Sequence, residues 1–403
     1  MSAPQQLLVA GGGIGAMAAA CAVARAGWQV RVFERTPVFA EVGAGLQLGP
    51  NVTRILHAWG QQDALRAVAA YPRRLVVRNA ESGAELGELP LGERALQRYG
   101  APYVTVHRAD LHALLLALAQ ATGEVQIRLG QTLTRFQDDG AAVCVRTGGG
   151  SEVEGDALLG ADGLLSAVRQ QLLGDGPPQP VGDLAYRAML RMDALPPAWH
   201  ANEVTVWMGT DLHLVHYPVR AGAALNVVAI LRHAAPRAPA GRDDDAVPSG
   251  ELARALGSLG VVCAPLRELV EAATGASLNP QTWRRWVLAA RAPVDGADEL
   301  ARGRVALLGD AAHPMRPYMA QGAGMAIEDA AELARSLAMT AVDVPTRLRR
   351  YAQARWQRVA RVQARSMRNG EIFHARGLVR VGRDASIRLL GERVLDVPWL
   401  YSR

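Results

Sequence analysis

The 403-residue chain contains no lysine; all 44 of its basic residues are arginine. That absence excludes every lysine-based mechanism: no Schiff base with pyridoxal phosphate, no Walker lysine, no kinase lysine. Cysteine is scarce, with Cys21, Cys144 and Cys263 each more than 100 residues from the next. An odd count without metal-ligand spacing reads as reduced thiols in a cytoplasmic protein. The nine histidines form no HExxH motif and no HxxxH pair on a helix-like segment, so no protein-held metal is expected. No apolar run reaches the roughly 18 residues of a membrane span without a polar residue, glycine or proline. A glycine-rich motif starts within a dozen residues of Met1, so no signal peptide is expected. Only four phenylalanines occur, and no nucleic-acid-binding motif accompanies the net charge of +6, so no nucleic-acid partner is expected.

What remains is a globular composition, half hydrophobic and one fifth charged. Its length suits two or three domains, or one large α/β body with an insert. The opening residues 6–34 read as strand (QLLVA), glycine turn (GGGIGA), alanine-rich helix to Gly27 and second strand (QVRVFE). Residues 41–60 read as a glycine-rich turn and a helix, 73–90 as a hairpin, and 109–123 as an amphipathic helix. Strands follow to Gly160, then a helix through Leu173, with GPPQP at 176–180 as the clearest break. Segments 184–232 read mostly as strands, 236–250 as a polar loop, and 251–272 as one helix. A buried strand at 304–308, a helix at 321–338 and another at 346–376 complete the pattern. This predicts an α/β fold whose cofactor domain is discontinuous (1–72, 101–180 and 288–345). Two β-rich inserts (73–100 and 181–287) would form the substrate-binding part, and 346–403 a C-terminal helical segment.

Gly11-Gly12-Gly13-Ile14-Gly15-Ala16 fits G-x-G-x-x-G/A between a strand and a helix. Gly11 permits the tight turn, Gly13 lets the backbone approach a pyrophosphate, and Ala16 takes the small-residue place where helix and strand pack. Glu34 ends the second strand 18 residues beyond Ala16, where a ribose-binding acid is expected, and its charge would repel a 2′-phosphate. Two more turns follow apolar strands: Gly160-Ala161-Asp162-Gly163, and Gly309-Asp310-Ala311-Ala312-His313-Pro314, after which Gln321-Gly322-Ala323-Gly324 opens a helix.

At these separations the three segments resemble the single-component flavin-dependent aromatic hydroxylases, the para-hydroxybenzoate hydroxylase family. The resemblance extends to about residue 370. It implies a Rossmann-type FAD-binding domain, a β-sheet substrate domain and a C-terminal helix. It implies FAD held extended, with its pyrophosphate on Gly11, Gly13, Ile14, Gly15 and Ala16, and with Glu34 and Arg35 toward the adenosine ribose. Ala44 and Arg108 would face the flavin–pyrophosphate region, Asp310 the ribityl chain, and Gly322, Ala323 and Gly324 the pyrimidine edge of the isoalloxazine. Asp162 belongs to the family's DG fingerprint, or simply caps the next helix; His313 orients its loop. With a single Rossmann fingerprint, NADH or NADPH would dock transiently in a groove. The resemblance further implies that NAD(P)H reduces FAD, that O2 adds at flavin C4a, and that an oxygen atom passes to a phenolic aromatic acid.

Within that family the segments EVGAGLQLGPN and HLVHYPVR are most similar to enzymes that convert 3-hydroxybenzoate to gentisate. Salicylate, 6-hydroxynicotinate and larger phenolic natural products are the alternative substrates. His213 and Tyr217 stand four apart on a strand and so share a face. The resemblance makes His213 the acceptor of the phenol proton, a role that imidazole suits near pH 7, and makes Tyr217 and Gln321 its catalytic neighbours. His216 faces the other way and reads as structural. Gln47, Tyr103, Tyr217 and Pro317 are the candidate substrate-pocket walls, with core packing as the alternative. Pyridine-hydroxylating relatives carry histidine where this chain has Gln47 and Tyr318, which weakens that reading. Thirteen arginines against three acids between Arg347 and Arg393 read as a solvated helix face. A reading of another class, a flavin- or phospholipid-binding protein without hydroxylase activity, would have that basic face govern lipid binding. A homodimer fits the family.

Overall fold

The computed structural model describes residues 4–39, 44–232, 245–247, 250–258, 262–276 and 283–402. The chain divides into two compact units. The first comprises Met1–Glu41, Leu111–Pro178 and Ala290–Ser366; the second comprises Val42–Asp110, Gln179–Ala289 and Met367–Arg403.

The first unit is built on a six-stranded sheet. Its order is Ala301–Arg302, Val305–Leu307, Ala157–Gly160, Gln6–Ala10, Gln29–Glu34, Val125–Leu129. Every pairing is parallel except that of the short edge strand Ala301–Arg302. The five parallel strands follow the doubly wound order 3-2-1-4-5, whose reversal point lies between the first strand and Ala157–Gly160. Leu7, Leu8 and Val9 are fully buried, as a strand covered on both faces requires. The Ile14–Arg25 helix is mostly alanine, so it packs closely; it meets the Gly322–Leu337 helix, where a side chain on Gly15 would stand 3.1 Å from Ala326 Cβ. An antiparallel three-stranded sheet of Leu133–Asp138, Val143–Thr147 and Glu152–Gly155 completes the unit's strands.

In the second unit an eight-stranded sheet runs Asp245–Val247, Trp283–Ala290, Gln179–Arg191, Ala224–Arg232, Leu212–Val219, Val204–Met208, Arg74–Asn79, Glu85–Pro90. Strand alternation sorts its side chains between two cores. One holds Tyr186, Leu190, Trp207, Leu214 and Trp283 with Leu252, Leu256, Leu266 and Leu269 from helices Gly250–Ser258 and Ala264–Ala276. The other holds Val77, Met189, Val206, Met208, Tyr217 and Val219 with Ile387 from the Gly377–Leu390 helix.

Several boundaries differ from the sequence reading. The segment around residues 41–49 contains the strand Gly45–Leu48, paired antiparallel with Val104–His107. Because Gly45 N–H also donates to Asn226 of the eight-stranded sheet at 2.7 Å, residues 42–72 and 101–110 group with the second unit. The stretch read as one helix at 251–272 is two helices, and most of the loop read at 236–250 lies outside the described residues. The C-terminal segment 346–403 is divided between the units at Ser366.

The arginine-rich tail is only in part a solvated face: seven of its thirteen arginines are exposed, while Arg347, Arg355 and Arg383 are buried. Buried Arg355 donates through Nε to Asp329 (2.7 Å) and through an Nη to Glu328 (2.8 Å), and Arg358 adds two further bonds to Glu328. Asp329 also bonds His313 Nε2 (2.5 Å) and accepts from Gly309 N–H (3.2 Å). This network ties the Val344–Phe373 helix to the GDAAHP turn, confirming His313 in its loop-orienting place. Burial pushes the Asp329 carboxyl up, but His313 and Arg355 more than offset it and hold it at about 2. Its folded-state value lies below that of an unfolded aspartate, near 3.9. The pair's stabilisation is therefore complete above about pH 4 and is lost as pH falls toward 2. Replacing Arg355 with leucine leaves Asp329 to His313 and Glu328 to Arg358, each buried carboxylate short of one charged partner. The expected cost is about 3–5 kcal/mol, read as a clear drop in Tm at pH 7 that shrinks at pH 3; an unchanged Tm would contradict this account.

Candidate active site

In the first unit, three glycine turns stand at the carboxyl ends of neighbouring parallel strands: 6–10, 157–160 and 305–307. Gly11 adopts φ +99°, and a Cβ there would lie 2.5 Å from the Ala161 carbonyl oxygen. Only glycine therefore lets the first and second turns lie this close. A Cβ on Gly15 would lie 2.6 Å from a Leu308 methyl and 3.1 Å from Ala326 Cβ, so a side chain there would push Leu308 aside. At Gly13 the opposite holds: nothing lies within 4 Å of where a Cβ would be. The backbone at the N-terminus of Ile14–Arg25 is thus open to a ligand, and no acidic residue occupies that helix's first turn. Such a terminus favours an anion.

The loop is held from both sides. Gly12 N–H donates to Glu34 Oε2 (2.7 Å), and Glu34 Oε1 accepts from the Thr36 backbone N–H (2.8 Å) and hydroxyl (2.9 Å). His112 Nε2 lies 2.6 Å from the Gly12 carbonyl oxygen, its ring 4.7 Å from that of Phe39. With the Gly12 carbonyl turned toward His112, the trans geometry of the peptide turns Gly13 N–H the other way. Arg35 next to Glu34 is exposed.

Asp162 makes the bonds of its second reading, a helix cap. Its carboxylate accepts from Ser166 Oγ (2.5 Å), Ala167 N–H (2.8 Å) and Val168 N–H (3.2 Å), all at the start of the Ala167–Leu173 helix. These are the bonds of a helix cap. Asp310, by contrast, is exposed, and its Oδ1 lies 3.9 Å from where a Gly322 side chain would begin. The Gly322–Leu337 helix opens with Gly322-Ala323-Gly324 and no acid in its first turn, so its positive end is uncompensated within the helix. Gln321 is the buried N-cap residue of that helix; Pro317 is exposed and Tyr318 buried.

The second unit gathers the other candidates. His213 and Tyr217 do share a face of Leu212–Val219, whose Leu212 and Leu214 turn to the opposite core. Four residues of strand separate them by about 13 Å. Tyr217 hydrogen-bonds Gln47, and Tyr103 donates its hydroxyl to Gln47 Oε1 at 2.6 Å, so one amide bridges two phenols. Burial pushes both tyrosines well above their usual range, keeping them protonated donors at neutral pH. His213 is 4% exposed, and burial first, then the neighbouring His374, push its imidazole well below its usual value, so it is a neutral base. His216 lies on the other face against Trp199 (5.4 Å) and Trp207, held down to about 3 by burial and by Arg78: a core residue, as expected. Ala44 is buried and its carbonyl accepts from Arg108 N–H (2.8 Å), while the Arg108 side chain is exposed.

Sequence reasoning missed His112, Asn226 and His374. Their contacts span 100, 181 and 161 residues of chain, and no local motif announces them. His112 alone had a signal available, since it closes the segment HRADLH, four residues after Arg108.

Comparison with known proteins agrees with this geometry. Residues 5–366 match the family described as FAD binding domain. A 3-hydroxybenzoate 6-hydroxylase of Polaromonas naphthalenivorans (strain CJ2) is 38% identical, with 98% of this chain and 95% of the relative covered. A 6-hydroxynicotinate 3-monooxygenase of Bordetella bronchiseptica is 35% identical, with 90% of this chain and 91% of the relative covered. The crystal structure of Klebsiella pneumoniae HpxO complexed with FAD and uric acid superposes with a TM-score of 0.83 at 26% identity, over 97% of this chain and 94% of that one. The doubly wound unit and its open glycine cradle define a dinucleotide-binding flavoprotein. The chain belongs to the FAD binding domain family and is an FAD-dependent aromatic monooxygenase. Among the described residues no helix is long and apolar enough to cross a membrane.

The His112 contact yields a direct test. Replacing His112 with leucine frees the Gly12 carbonyl and should weaken FAD binding about tenfold, the worth of one hydrogen bond, while His112→Gln, which can still donate, retains most of the affinity. Flavin fluorescence titration checks this; equal affinity in all three proteins would contradict it.

Proposed function

We propose that this chain hydroxylates a phenolic aromatic acid at the expense of NAD(P)H and O2, and that its substrate is 3-hydroxybenzoate, oxidised para to the phenol to give gentisate. The observation that carries the reading is the shared face of His213 and Tyr217, with one buried neutral imidazole and a pair of buried phenols bridged by Gln47. The open backbone at Gly13 and the exposed carboxylate of Asp310 fit FAD. The turn 11–16 would hold its pyrophosphate, Glu34 and Arg35 its adenosine ribose, Asp310 its ribityl chain, and the helix start 322–324 its flavin ring. FAD bound there would supply the redox chemistry, reduction by NAD(P)H and activation of O2.

The protein's own part is acid–base and steric. His213 accepts the phenol proton, which raises electron density at the ring carbons ortho and para to the oxygen. Tyr217, Tyr103 and Gln47 bind and orient polar groups of the ring. A hydroxypyridine substrate is the second reading, favoured by the identity with the Bordetella bronchiseptica relative. Gln47 and Tyr318, where the hydroxypyridine enzymes that this chain resembles carry histidine, argue against it.

The deciding experiment is a substrate panel on FAD-loaded protein: 3-hydroxybenzoate, salicylate, 4-hydroxybenzoate and 6-hydroxynicotinate, scored by NADH and NADPH oxidation and by product. The expected result is fastest oxidation with 3-hydroxybenzoate and gentisate formed in step with it; a response confined to 6-hydroxynicotinate would overturn the substrate. His213→Gln should lower hydroxylation by about 10²–10⁴-fold with FAD affinity unchanged.

A further inference from the structure

We propose that His374 is a positioning residue for His213: it fixes the tautomer that leaves His213 Nε2 unprotonated, and it receives the proton that His213 passes on. This rests on the reading that His213 accepts the phenol proton. His213 Nδ1 and His374 Nε2 lie 3.1 Å apart, with ring centroids at 5.3 Å. His374 is 1% exposed, and the Phe373 ring stands edge-on to His213 at 5.5 Å. Both rings are buried.

The surrounding charges are paired among themselves. Asp211, two residues before His213, bonds Arg376. Arg232 on the adjacent strand bonds Glu371 at 3.4 Å, and Arg383 bonds Asp384 at 2.8 Å. Another Arg383 nitrogen donates to the carbonyls of Ile372 (3.2 Å) and Phe373 (2.7 Å), and Asn79 donates to Asp384 (3.1 Å). These bonds lock the end of the Val344–Phe373 helix, and His374 with it, in place.

Two neutral imidazoles facing one another share a single hydrogen. If His374 donates it, the hydrogen of neutral His213 sits on Nε2, and that nitrogen cannot accept a proton. If His213 donates it through Nδ1, Nε2 keeps its lone pair. A phenol that binds as donor to Nε2 selects the second arrangement, with His374 as the acceptor it requires. The transfer then balances as follows. The phenol O–H bond breaks and an Nε2–H bond forms on His213; the His213 Nδ1–H bond breaks and an Nε2–H bond forms on His374. The substrate is left as a phenolate, His213 is neutral again, and the positive charge rests on His374. Charge is thereby moved one ring away from the reacting phenolate, which a lone buried histidine could not do.

The test compares FAD-loaded wild type, His374→Leu, His374→Gln, His213→Gln and the His213→Gln/His374→Leu pair. Hydroxylation of 3-hydroxybenzoate is followed against pH, with FAD affinity and Tm as checks on folding. Leucine leaves a buried Nδ1–H unpaired, so kcat should fall about 10- to 100-fold with KM changed by less than about threefold. The rising limb of the pH profile should move to higher pH, because His213 loses the neighbour that holds it down. Glutamine can accept the Nδ1 hydrogen but cannot carry the proton, so His374→Gln should regain part of kcat and keep the shifted profile. The double variant should be no slower than His213→Gln alone, as expected of groups acting in series. An impaired His213→Gln enzyme beside a His374→Leu enzyme of wild-type kcat and profile overturns this proposal alone. Should the leucine variant not fold, a wild-type rate and profile in His374→Gln does the same. An unimpaired His213→Gln enzyme overturns the underlying reading, and this proposal with it.

Discussion

Everything in the first unit depends on how closely three strand ends approach one another. Gly11 has the Ala161 carbonyl where a side chain would be, and Gly15 has Leu308. With those two glycines filled by neighbours and Gly13 filled by nothing, the turns form a shallow backbone cradle facing outward. A doubly wound sheet places this crevice at the reversal of its strand order, so the topology alone decides where a dinucleotide can sit. Glu34 and His112 then hold the two faces of the Gly12 peptide unit's surroundings, fixing its N–H and its carbonyl.

The absence of lysine has a structural counterpart. Arg355 grips Asp329 and Glu328 together, and Asp329 in turn grips His313 and the Gly309 amide. A guanidinium can serve two buried carboxylates with a planar fork, where an ammonium is a point charge. The arginine-rich tail is therefore part of the scaffold: it holds the turn bearing Asp310, whose own carboxylate remains exposed. Part of the charge that looks like a solvated or lipid-facing stripe in the sequence is paired with acids far away along the chain, Asp211 and Glu81 among them.

Much of the first unit was legible in the residues, because its signals are local. Strand, glycine turn, helix and acid occur within 30 residues, and each has one physical reason to be there. The common face of His213 and Tyr217 was legible for the same reason, since strand alternation needs only a count of four. Three things were not. The strand Gly45–Leu48 was hidden in glycine-rich sequence because its partner, Val104–His107, lies some 60 residues on. Asp162 carries a family motif, yet in the structure its bonds are those of a cap, and the next helix's hydroxyl and amides satisfy it locally. His374 lies 161 residues from His213, in a tail whose visible character is its arginines. Two of the four phenylalanines, Phe39 and Phe373, pack against the two overlooked arrangements, at His112 and at His213. Scarce residue types at such places are a signal that periodicity does not read.

The proposed activity requires that FAD and an aromatic acid bind the same protein, and both register in one optical titration. Protein loaded with FAD is titrated with 3-hydroxybenzoate without oxygen, then with NADH, while the flavin absorption band is followed. The account predicts a flavin spectrum perturbed by the aromatic acid and bleached by NADH faster in its presence than without it. A folded protein that stays colourless in excess FAD, or a flavin band indifferent to every aromatic acid offered, would contradict it.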